Sequence, residues 1–291
     1  MSQAATAEAR SDAAGEGRDF PFTVRDFDRV RRLIHVRAGI ALAESKEEMV
    51  YSRLARRLRV LKLDSFKRYL DRLEAGTDAD EWEAFTNALT TNLTSFFRED
   101  HHFGILHKFL QGQPRGKTVR IWCSAASTGE EPYSLAITAC EAYDSLTPPV
   151  AILATDIDTH VLATAERGVY PLERVEKVSI ERKRRFFQKG SGSSDGQCRV
   201  VDPLRSILSF RQLNLLDERY PMKGPFDAIF CRNVMIYFDK PTQLAVLRKM
   251  VPLLAPDGLF FAGHSESFFH ATDLIKPIGR TVYRRSDHPG A

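Results

Sequence analysis

The chain has 291 residues, of which 43% are hydrophobic and 27% charged, an ordinary globular composition. No apolar run approaches the roughly 18 residues of a membrane span, and the first residues lack the apolar core of a secretory signal. Four scattered cysteines with no CxxC pair argue against a disulfide scaffold. The net charge of +4 is too small to indicate a nucleic-acid partner by itself. We therefore expect a cytoplasmic protein without direct membrane insertion.

The amino-terminal third is predicted to be helical after a disordered tail. Residues 1–19 are rich in Ala, Gly, Ser and acidic side chains, which is typical of disorder. Residues 20–93 predict four helices. Thr23 is placed to cap the first of them, and Ser45 with Glu48 three residues later has the pattern of a capping box for the second.

The second predicted helix has an apolar face and a basic face. Its apolar positions recur at helical spacing and predict a stripe towards a core: Val50, Leu54, Leu58 and Leu61. The arginine group crowds the other side: Arg53, Arg56, Arg57 and Arg59. Such a face is either a solvated surface or a docking site for an acidic partner.

From residue 117 onwards, short buried-type strands alternate with helices. The runs TVRIWCSA, PVAILATD, FDAIFCRN and GLFFAGH are β-branched or aromatic and continuous. This pattern predicts an α/β fold with a doubly wound, mostly parallel sheet. The last run, RTVYRR, follows no crossover helix and is expected to be an antiparallel edge strand.

One stretch, residues 186–210, interrupts the alternation. It holds Gly190, Gly192 and Gly196 between two β-prone runs. It is either a flexible surface loop or a small β insertion with a glycine turn.

Ligands of doubly wound sheets bind beyond the carboxyl ends of the strands. Glu130 and Glu131 follow the first strand, and two acids there would repel the pyrophosphate of NAD or ATP. Asp156 ends the second strand, where it could accept hydrogen bonds from ribose, cap a helix or join a metal-binding DxD pair. Asn214 and Leu215 follow the third strand and could flank a base.

Arg232, Asn233 and Tyr237 follow the fourth strand, and Asn233 and Tyr237 are expected to face the same crevice. Together these side chains describe a nucleoside pocket without a phosphate cradle. S-adenosylmethionine fits, because it has adenine, ribose, a sulfonium and an amino-acid tail but no phosphate.

At these residues the sequence resembles the chemotaxis receptor glutamate methyltransferases, commonly called CheR. The matching stretches are FTNALTTNLTSFFRE (85–99), SAASTGEEPYS (124–134), ATDIDTHVL (154–162), FDAIFCRNVMIYFDK (226–240) and FAGHSES (261–267). The helical part matches in RAGI and MVYSRLARRLR, so the resemblance covers about residues 20–285. It implies a helical receptor-docking domain over 20–93 and a Rossmann-like methyltransferase domain of the seven-stranded type over 94–291.

The resemblance also implies the reaction and its site. S-adenosylmethionine would methylate glutamate side chains of chemoreceptors, giving methyl esters and S-adenosylhomocysteine, without a metal. The implied cofactor residues are Asn92, Thr94, Arg98, Glu130 for the amino-acid tail, Asp156 for the ribose, Asn214 and Leu215 for the adenine, Arg232 and Asn233.

Two residues are candidates for catalysis, Arg98 and Tyr237. A glutamate side chain has a pKa near 4.3, so the acceptor is already ionised at neutral pH and needs no general base. Arg98 could orient that carboxylate through its planar fork, and Tyr237 could donate a hydrogen bond or place its ring near the sulfonium. The alternative is that both only pack against the cofactor.

The implied partners are the cytoplasmic helical bundles of chemoreceptors, which would recruit the enzyme to receptor arrays as a monomer. The arginine group would dock on them. Gly190, Gly192, Gly196 and Arg199 resemble the part of tethered relatives that takes up a receptor's carboxy-terminal pentapeptide. Residues 200–203 depart from that pattern.

Two other function classes stay open. A nucleic-acid methyltransferase would want an NPPY-type loop for a flipped base, whereas residues 233–237 contain no proline, so we expect no nucleic-acid partner. A non-catalytic module that binds S-adenosylmethionine and receptors is the other class. His101, His102 and His107 look like a metal cluster but lack a matching carboxylate, and we expect no metal.

Overall fold

The computed structural model of the chain describes residues 18–289. It divides into two compact units, Met1–Thr90 and Thr91–Ala291, whereas the sequence suggested a boundary after residue 93. Most of the predicted tail lies outside the described residues. Its last two residues are engaged: Arg18 pairs with Glu47 and Glu48, and Asp19 pairs with Arg59.

Between residues 18 and 90, the first unit contains four α-helices. They are α1 Val24–Ala38, α2 Glu47–Leu61, α3 Phe66–Glu74 and α4 Ala79–Leu89. The Thr23 cap is confirmed, because its hydroxyl accepts from the Asp26 N–H and the Asp26 carboxylate accepts from the Thr23 N–H. The apolar stripe of α2 is buried at Val50, Leu54 and Leu58.

The predicted capping box at Ser45 is wrong. Residues Glu44–Lys46 form a 3-10 turn ahead of α2, and no side chain caps that helix. The Glu48 carboxylate that should have completed the box is bound by Arg18 at 2.6 Å. A partner thirty residues away therefore replaces the local one.

The second unit alternates strands and helices. In chain order they are α5 His101–Gln111, β1 Val119–Cys123, α6 Glu130–Ala142, β2 Val150–Asp156, α7 Thr159–Arg167, β3 Val169–Pro171, α8 Ile180–Phe186, β4 Phe187–Lys189, β5 Gln197–Val200, α9 Asp202–Ser206, β6 Leu208–Gln212, β7 Phe226–Cys231, α10 Lys240–Met250, β8 Leu254–Ala262, β9 Ile275–Gly279 and β10 Val282–Arg285.

Seven strands form the main sheet, in the order β6-β2-β1-β7-β8-β10-β9. The first five are parallel, and β10 runs antiparallel to β8 and β9. Alternate residues of β1 enter different cores, Ile121 and Cys123 in one and Trp122 in the other. Both faces are therefore covered, and the predicted doubly wound, mostly parallel α/β fold is confirmed.

The antiparallel direction predicted for RTVYRR is confirmed, but its position at the edge is wrong. The outermost strand is β9, which pairs with β10 from Ile275 to Gly279. Four of the five β9 residues are exposed and one is a proline, so the segment lacks the apolar run that marks the other strands.

A second, three-stranded antiparallel sheet has the order β3-β5-β4. It begins earlier than the predicted insertion of residues 186–210, because Val169–Pro171 pairs with β5. It also ends earlier, because β6 pairs in parallel with β2 in the main sheet. Among the helices described between residues 18 and 289, none is long and apolar enough to cross a membrane.

Candidate active site

The residues implied for the site lie at the carboxyl edge of the parallel strands and are linked by hydrogen bonds. The side chain of Asn92 donates to the Asp158 carboxylate at 2.7 Å, and the hydroxyl of Ser127 donates to the Asn92 carbonyl at 2.9 Å. The segment that precedes α5 is thereby tied to the loops after β1 and β2. This edge is where doubly wound sheets bind ligands.

Asp156, the last residue of β2, is buried, and backbone groups hold its carboxylate. Its Oδ2 accepts from the Ser127 N–H at 2.8 Å and its Oδ1 from the Asp158 N–H at 3.0 Å. Burial raises the pKa of Asp156 to about 6, and these two backbone donors oppose the rise only in part. Asp158 provides the helix cap, accepting from the N–H groups of His160 and Val161, which leaves Asp156 for another role.

Glu130, the first residue of α6, is completely buried. Its Oε2 accepts from the Thr128 hydroxyl at 2.6 Å. Its Oε1 lies 3.3 Å from the Arg174 guanidinium but has no hydrogen-bond partner among the described residues. A buried carboxylate oxygen without a donor is costly, so this atom is a natural acceptor for a cationic group of a ligand.

Gly129, which precedes α6, is required for packing as well as for the turn. Its φ is 99°, and an added Cβ would lie 2.7 Å from the Tyr170 hydroxyl and 2.8 Å from the Ala165 Cβ. Helix α7 and strand β3 therefore pack directly against the backbone of Gly129, and this contact positions the amino terminus of α6.

The loop after β6 contributes Asn214 and Leu215. The side-chain oxygen of Asn214 accepts from the Leu216 N–H at 3.0 Å, so it shapes its own turn. Leu215 is buried, and its carbonyl accepts from the Tyr220 hydroxyl and the Lys249 ammonium. The loop is held from α10, and the adenine contact implied for Asn214 and Leu215 stays a prediction.

Arg232, directly after β7, joins three parts of the site. Its side chain is fully buried. Nη1 donates to Glu131 at 2.5 Å, and Nη2 donates to the Arg98 carbonyl at 2.5 Å and lies 3.3 Å from Glu99. Its side chain thus neutralises two buried acids and anchors the residue before Glu99. The implied cofactor contact of Arg232 stays a prediction.

Glu99 is a second hub, which the sequence reasoning missed. Its carboxylate accepts from the Asn233 side chain at 3.2 Å, and from both the backbone N–H and the Nδ1 of His264. Burial alone would raise the pKa of Glu99, but the His264 hydrogen bond and the Arg232 charge outweigh it and lower the pKa to about 2. Its position at the end of the matching stretch 85–99 was the only available signal.

The two catalytic candidates lie on either side of this hub in sequence. Arg98 is partly exposed; its Nη1 donates to the Leu93 carbonyl at 3.0 Å and its Nε lies 4.0 Å from the Glu99 carboxylate. Tyr237 is half-buried at the end of a short 3-10 turn, Met235–Tyr237.

The Thr94 carbonyl accepts from Arg174 at 3.4 Å, and Arg174 also pairs with Glu130, so Thr94 and Glu130 contact the same arginine.

Comparison with known proteins gives two family matches. The model described as "CheR methyltransferase, all-alpha domain" matches residues 25–90, and "CheR methyltransferase, SAM binding domain" matches residues 92–284. This chain belongs to the CheR methyltransferase family. The predicted family, the enzyme class and the dependence on S-adenosylmethionine are confirmed.

Curated relatives agree over most of the chain. Chemotaxis protein methyltransferase 2 of Pseudomonas aeruginosa is 55% identical over 266 residues, which is 91% of this chain and 94% of that protein. The chemotaxis protein methyltransferases of Salmonella typhimurium and Escherichia coli are 52% and 49% identical, each over 89% of this chain and 90% of their own length.

The residues present fit the cofactor of the CheR family. Glu130 offers an ammonium group a buried carboxylate oxygen that pairs with Arg174 but accepts no hydrogen bond from the described residues, and Asp156 offers a carboxylate at the neighbouring strand end to hydroxyl groups. Within residues 18–289, no arginine or lysine forms an ion pair with Asp156, in keeping with a ligand that carries no phosphate.

The arginine group does not form one free basic face. Arg57 binds the buried Glu81 carboxylate through two nitrogens, and Arg53 donates to the carbonyls of Ala88 and Thr90 at the end of α4. Of the four, Arg56 and Arg59 are exposed, and Arg59 pairs with Asp19. Receptor docking by the arginine group therefore stays a prediction for Arg56 and Arg59 only.

The glycine turn between β4 and β5 has specific requirements. A Cβ on Gly190 would lie 2.0 Å from the Ser194 carbonyl oxygen, while Gly192 and Gly196 have φ values of 60° and 78°. Arg199 pairs with Asp202 at 2.7 Å. The turn is therefore a shaped element and not a flexible loop.

The histidines near α5 have structural partners. His102 is buried, and its Nε2 contacts the Arg280 carbonyl at 3.0 Å and the Thr281 hydroxyl at 3.1 Å. Burial lowers the pKa of His102 to about 4. Within residues 18–289, no three His, Cys, Asp or Glu side chains are arranged to hold a metal ion.

Proposed function

We propose that this chain transfers a methyl group from S-adenosylmethionine to glutamate side chains of methyl-accepting chemotaxis receptors, in the cytoplasm at receptor arrays. The products are glutamyl methyl esters and S-adenosylhomocysteine. The relatives at 49–55% identity are named chemotaxis protein methyltransferases, which supports this substrate class.

The observation that carries the proposal is the pair of buried carboxylates at adjacent strand ends, Glu130 after β1 and Asp156 at the end of β2. One would bind the ammonium of the amino-acid tail and the other the ribose hydroxyls. A site with two buried acids is unsuited to a nucleotide phosphate and suited to a cationic nucleoside.

Methyl transfer to an ionised carboxylate requires no general acid or base from the protein. When bound, S-adenosylmethionine supplies a methyl group on a positively charged sulfur. The ionised oxygen of the receptor glutamate forms the new bond to the methyl carbon as the carbon–sulfur bond breaks, and that electron pair stays on sulfur. No proton moves, so the residues of this chain act by aligning the two reactants and excluding water.

Arg98 and Tyr237 are the proposed acceptor-side residues. Arg98 Nη1 donates to the Leu93 carbonyl and Nε lies 4.0 Å from Glu99, whereas Nη2 donates to no described residue and could hold a carboxylate oxygen. A tight ion pair would blunt the nucleophile, so Arg98 positions the carboxylate and does not activate it. Tyr237 would donate a hydrogen bond or face the sulfonium with its ring.

Receptor docking is proposed for the exposed end of the arginine group. Arg56 and Arg59 lie on α2 and are exposed, while Arg53 and Arg57 hold α4 in place. A cationic helix surface suits a receptor bundle that bears glutamates, since complementary charge speeds association.

A tether to the receptor's carboxy-terminal pentapeptide is proposed at the small sheet. In the order β3-β5-β4, strand β4 has one side that no described strand covers, and it leads into the glycine turn. An extended peptide can add to such an edge through backbone hydrogen bonds. Titration of the protein with a receptor-tail peptide should show binding below high micromolar concentration; no binding there contradicts the tether.

The deciding experiment incubates the protein with methyl-labelled S-adenosylmethionine and receptor-bearing membranes, and measures methanol released by alkali. Alkali-labile label on the receptor supports the proposal. Alkali-stable label on added nucleic acid would favour a nucleic-acid methyltransferase, and cofactor binding without transfer would favour a non-catalytic module. Light scattering on the same preparation tests the proposed monomer.

A further inference from the structure

The side chain of Glu266, in the loop after β8, is the centre of a cluster of five backbone N–H donors. Its Oε1 accepts from Val234, Met235 and Ile236 at 3.0, 2.8 and 3.3 Å. Its Oε2 accepts from Gly263 at 2.5 Å and Asn233 at 3.0 Å. The residue is 4% exposed, and within residues 18–289 no basic side chain forms an ion pair with it.

Four of these five donors belong to the segment between β7 and α10, residues 233–237, which cannot satisfy them itself. Asn233 has a φ of 59°, and only a single 3-10 turn follows, so the segment has no strand or helix partner for its N–H groups. The side-chain amide of Gln243 donates to the carbonyl of Met235, in this segment, and to the carbonyl of Phe238, directly after it.

The contact with the end of β8 is also close. A Cβ on Gly263 would lie 2.3 Å from the Asn233 side-chain nitrogen and 2.9 Å from its backbone nitrogen. The segment therefore rests directly on the backbone of Gly263, and Glu266 binds it there. The last residue of the segment is Tyr237, which is one of the two acceptor-side candidates.

We propose that Glu266 is a positioning residue for methyl transfer, acting through the segment that carries Asn233 and Tyr237. This rests on the proposed function. Both carboxylate oxygens are used as acceptors, three donors on one and two on the other, and neither could be replaced by a donor. A glutamine would turn its NH₂ group towards one set of N–H groups, leaving them unpaired and pushing the segment away.

Asp227 provides a matched control. It is also a buried carboxylate, 5% exposed, and accepts from the Arg120 N–H at 2.8 Å and Lys117 at 2.5 Å. It lies at the start of β7, the opposite end of the strand from Tyr237. Asp227→Asn should therefore reproduce the stability cost of losing a buried carboxylate without moving the site.

The test measures kcat and KM for receptor methylation, together with the melting temperature, for the wild type, Glu266→Gln and Asp227→Asn. We expect Glu266→Gln to lower kcat at least tenfold with a smaller change in KM, and Asp227→Asn to keep kcat within twofold. Equal kcat losses in both variants, or no loss in Glu266→Gln, overturn the proposal. A wild type without transfer activity would instead count against the proposed function.

A double variant separates positioning from general destabilisation. If Glu266 acts through the segment that ends at Tyr237, Glu266→Gln combined with Tyr237→Ala should lie within about threefold of Tyr237→Ala alone. Multiplicative losses contradict this. Should Glu266→Gln fail to fold, Glu266→Asp is measured, with hydrogen exchange of amides 233–236 as the readout. Faster exchange with a lower kcat supports the proposal, and wild-type exchange and kcat overturn it.

Discussion

The Nη2 atom of Arg232 lies 3.3 Å from Oε2 of Glu99, an ion pair between the end of β7 and the segment that carries Arg98. The same nitrogen donates to the Arg98 carbonyl at 2.5 Å. The backbone of a catalytic candidate is thus fixed by a buried arginine from a strand end. Arg232 therefore links Glu131, at the start of α6, and the segment that precedes α5 in one electrostatic framework.

This framework makes the folded protein sensitive to acid through Glu99. Because the pKa of Glu99 is lowered to about 2, its ionised form stabilises the fold at neutral pH, and that contribution is lost as the pH falls from about 4.5 through 2. The shift corresponds to about 3 kcal/mol in the free energy of unfolding. Denaturant titrations at several pH values should show a shallower acid dependence for Glu99→Gln. The exposed Glu218→Gln should behave as the wild type, and identical pH profiles for both variants would contradict the assignment.

Cofactor affinity should depend on pH through Asp156. Its pKa is raised to about 6 by burial, and only the ionised carboxylate can accept hydrogen bonds from two ribose hydroxyls. We expect S-adenosylhomocysteine to bind roughly tenfold more weakly at pH 5 than at pH 7. Calorimetry across that range checks this, and Asp156→Asn should bind weakly with little pH dependence. An equally steep profile in Asp156→Asn would assign the titration to another group.

Much of the fold could be predicted from sequence, because the apolar runs of β1, β2, β7 and β8 and the apolar stripe of α2 are local patterns. The predictions that were wrong concern elements whose structure depends on residues far away in the chain. The Ser45 capping box is absent because Ser45 lies within the 3-10 turn Glu44–Lys46, so that Lys46 occupies the cap position, and Glu48 accepts instead from the distant Arg18. Strand β9 is short and mostly exposed, and it pairs with β10.

In the site, the polar residues at strand ends could be found from their positions, but their division of labour could not. Glu130 and Glu131 are adjacent and chemically identical, yet Glu131 accepts a hydrogen bond from Arg232, whereas Oε1 of Glu130 accepts none from the described residues and only pairs with Arg174 at 3.3 Å. Glu99 and Glu266 gave no signal of their own, since their partners are more than thirty residues away or are backbone groups.

Turnover should depend on Arg98 more than cofactor binding does. Arg98→Ala removes the planar fork proposed for the acceptor carboxylate, and we expect kcat to fall at least tenfold while calorimetric binding of S-adenosylhomocysteine changes much less. Arg219→Ala, which removes an exposed arginine beyond β6, should leave both quantities unchanged. Equal losses of turnover and affinity would reassign Arg98 to cofactor binding.

Docking should respond to charge at Arg56. Arg56→Glu reverses an exposed charge on α2 that pairs with no other residue between 18 and 289, so we expect slower receptor methylation and a weaker dependence on salt. Arg25→Glu, the same change on α1, serves as the control for net charge. Unchanged salt dependence for Arg56→Glu, or equal effects of both variants, would remove this surface of α2 from the docking site.

The most direct measurement is a crystal structure of the protein with S-adenosylhomocysteine. We predict the ribose hydroxyls within hydrogen-bond distance of Asp156, the amino group beside Oε1 of Glu130 and the sulfur facing the segment that ends at Tyr237. A product molecule bound away from the ends of β1 and β2, with both carboxylates untouched, would contradict the account.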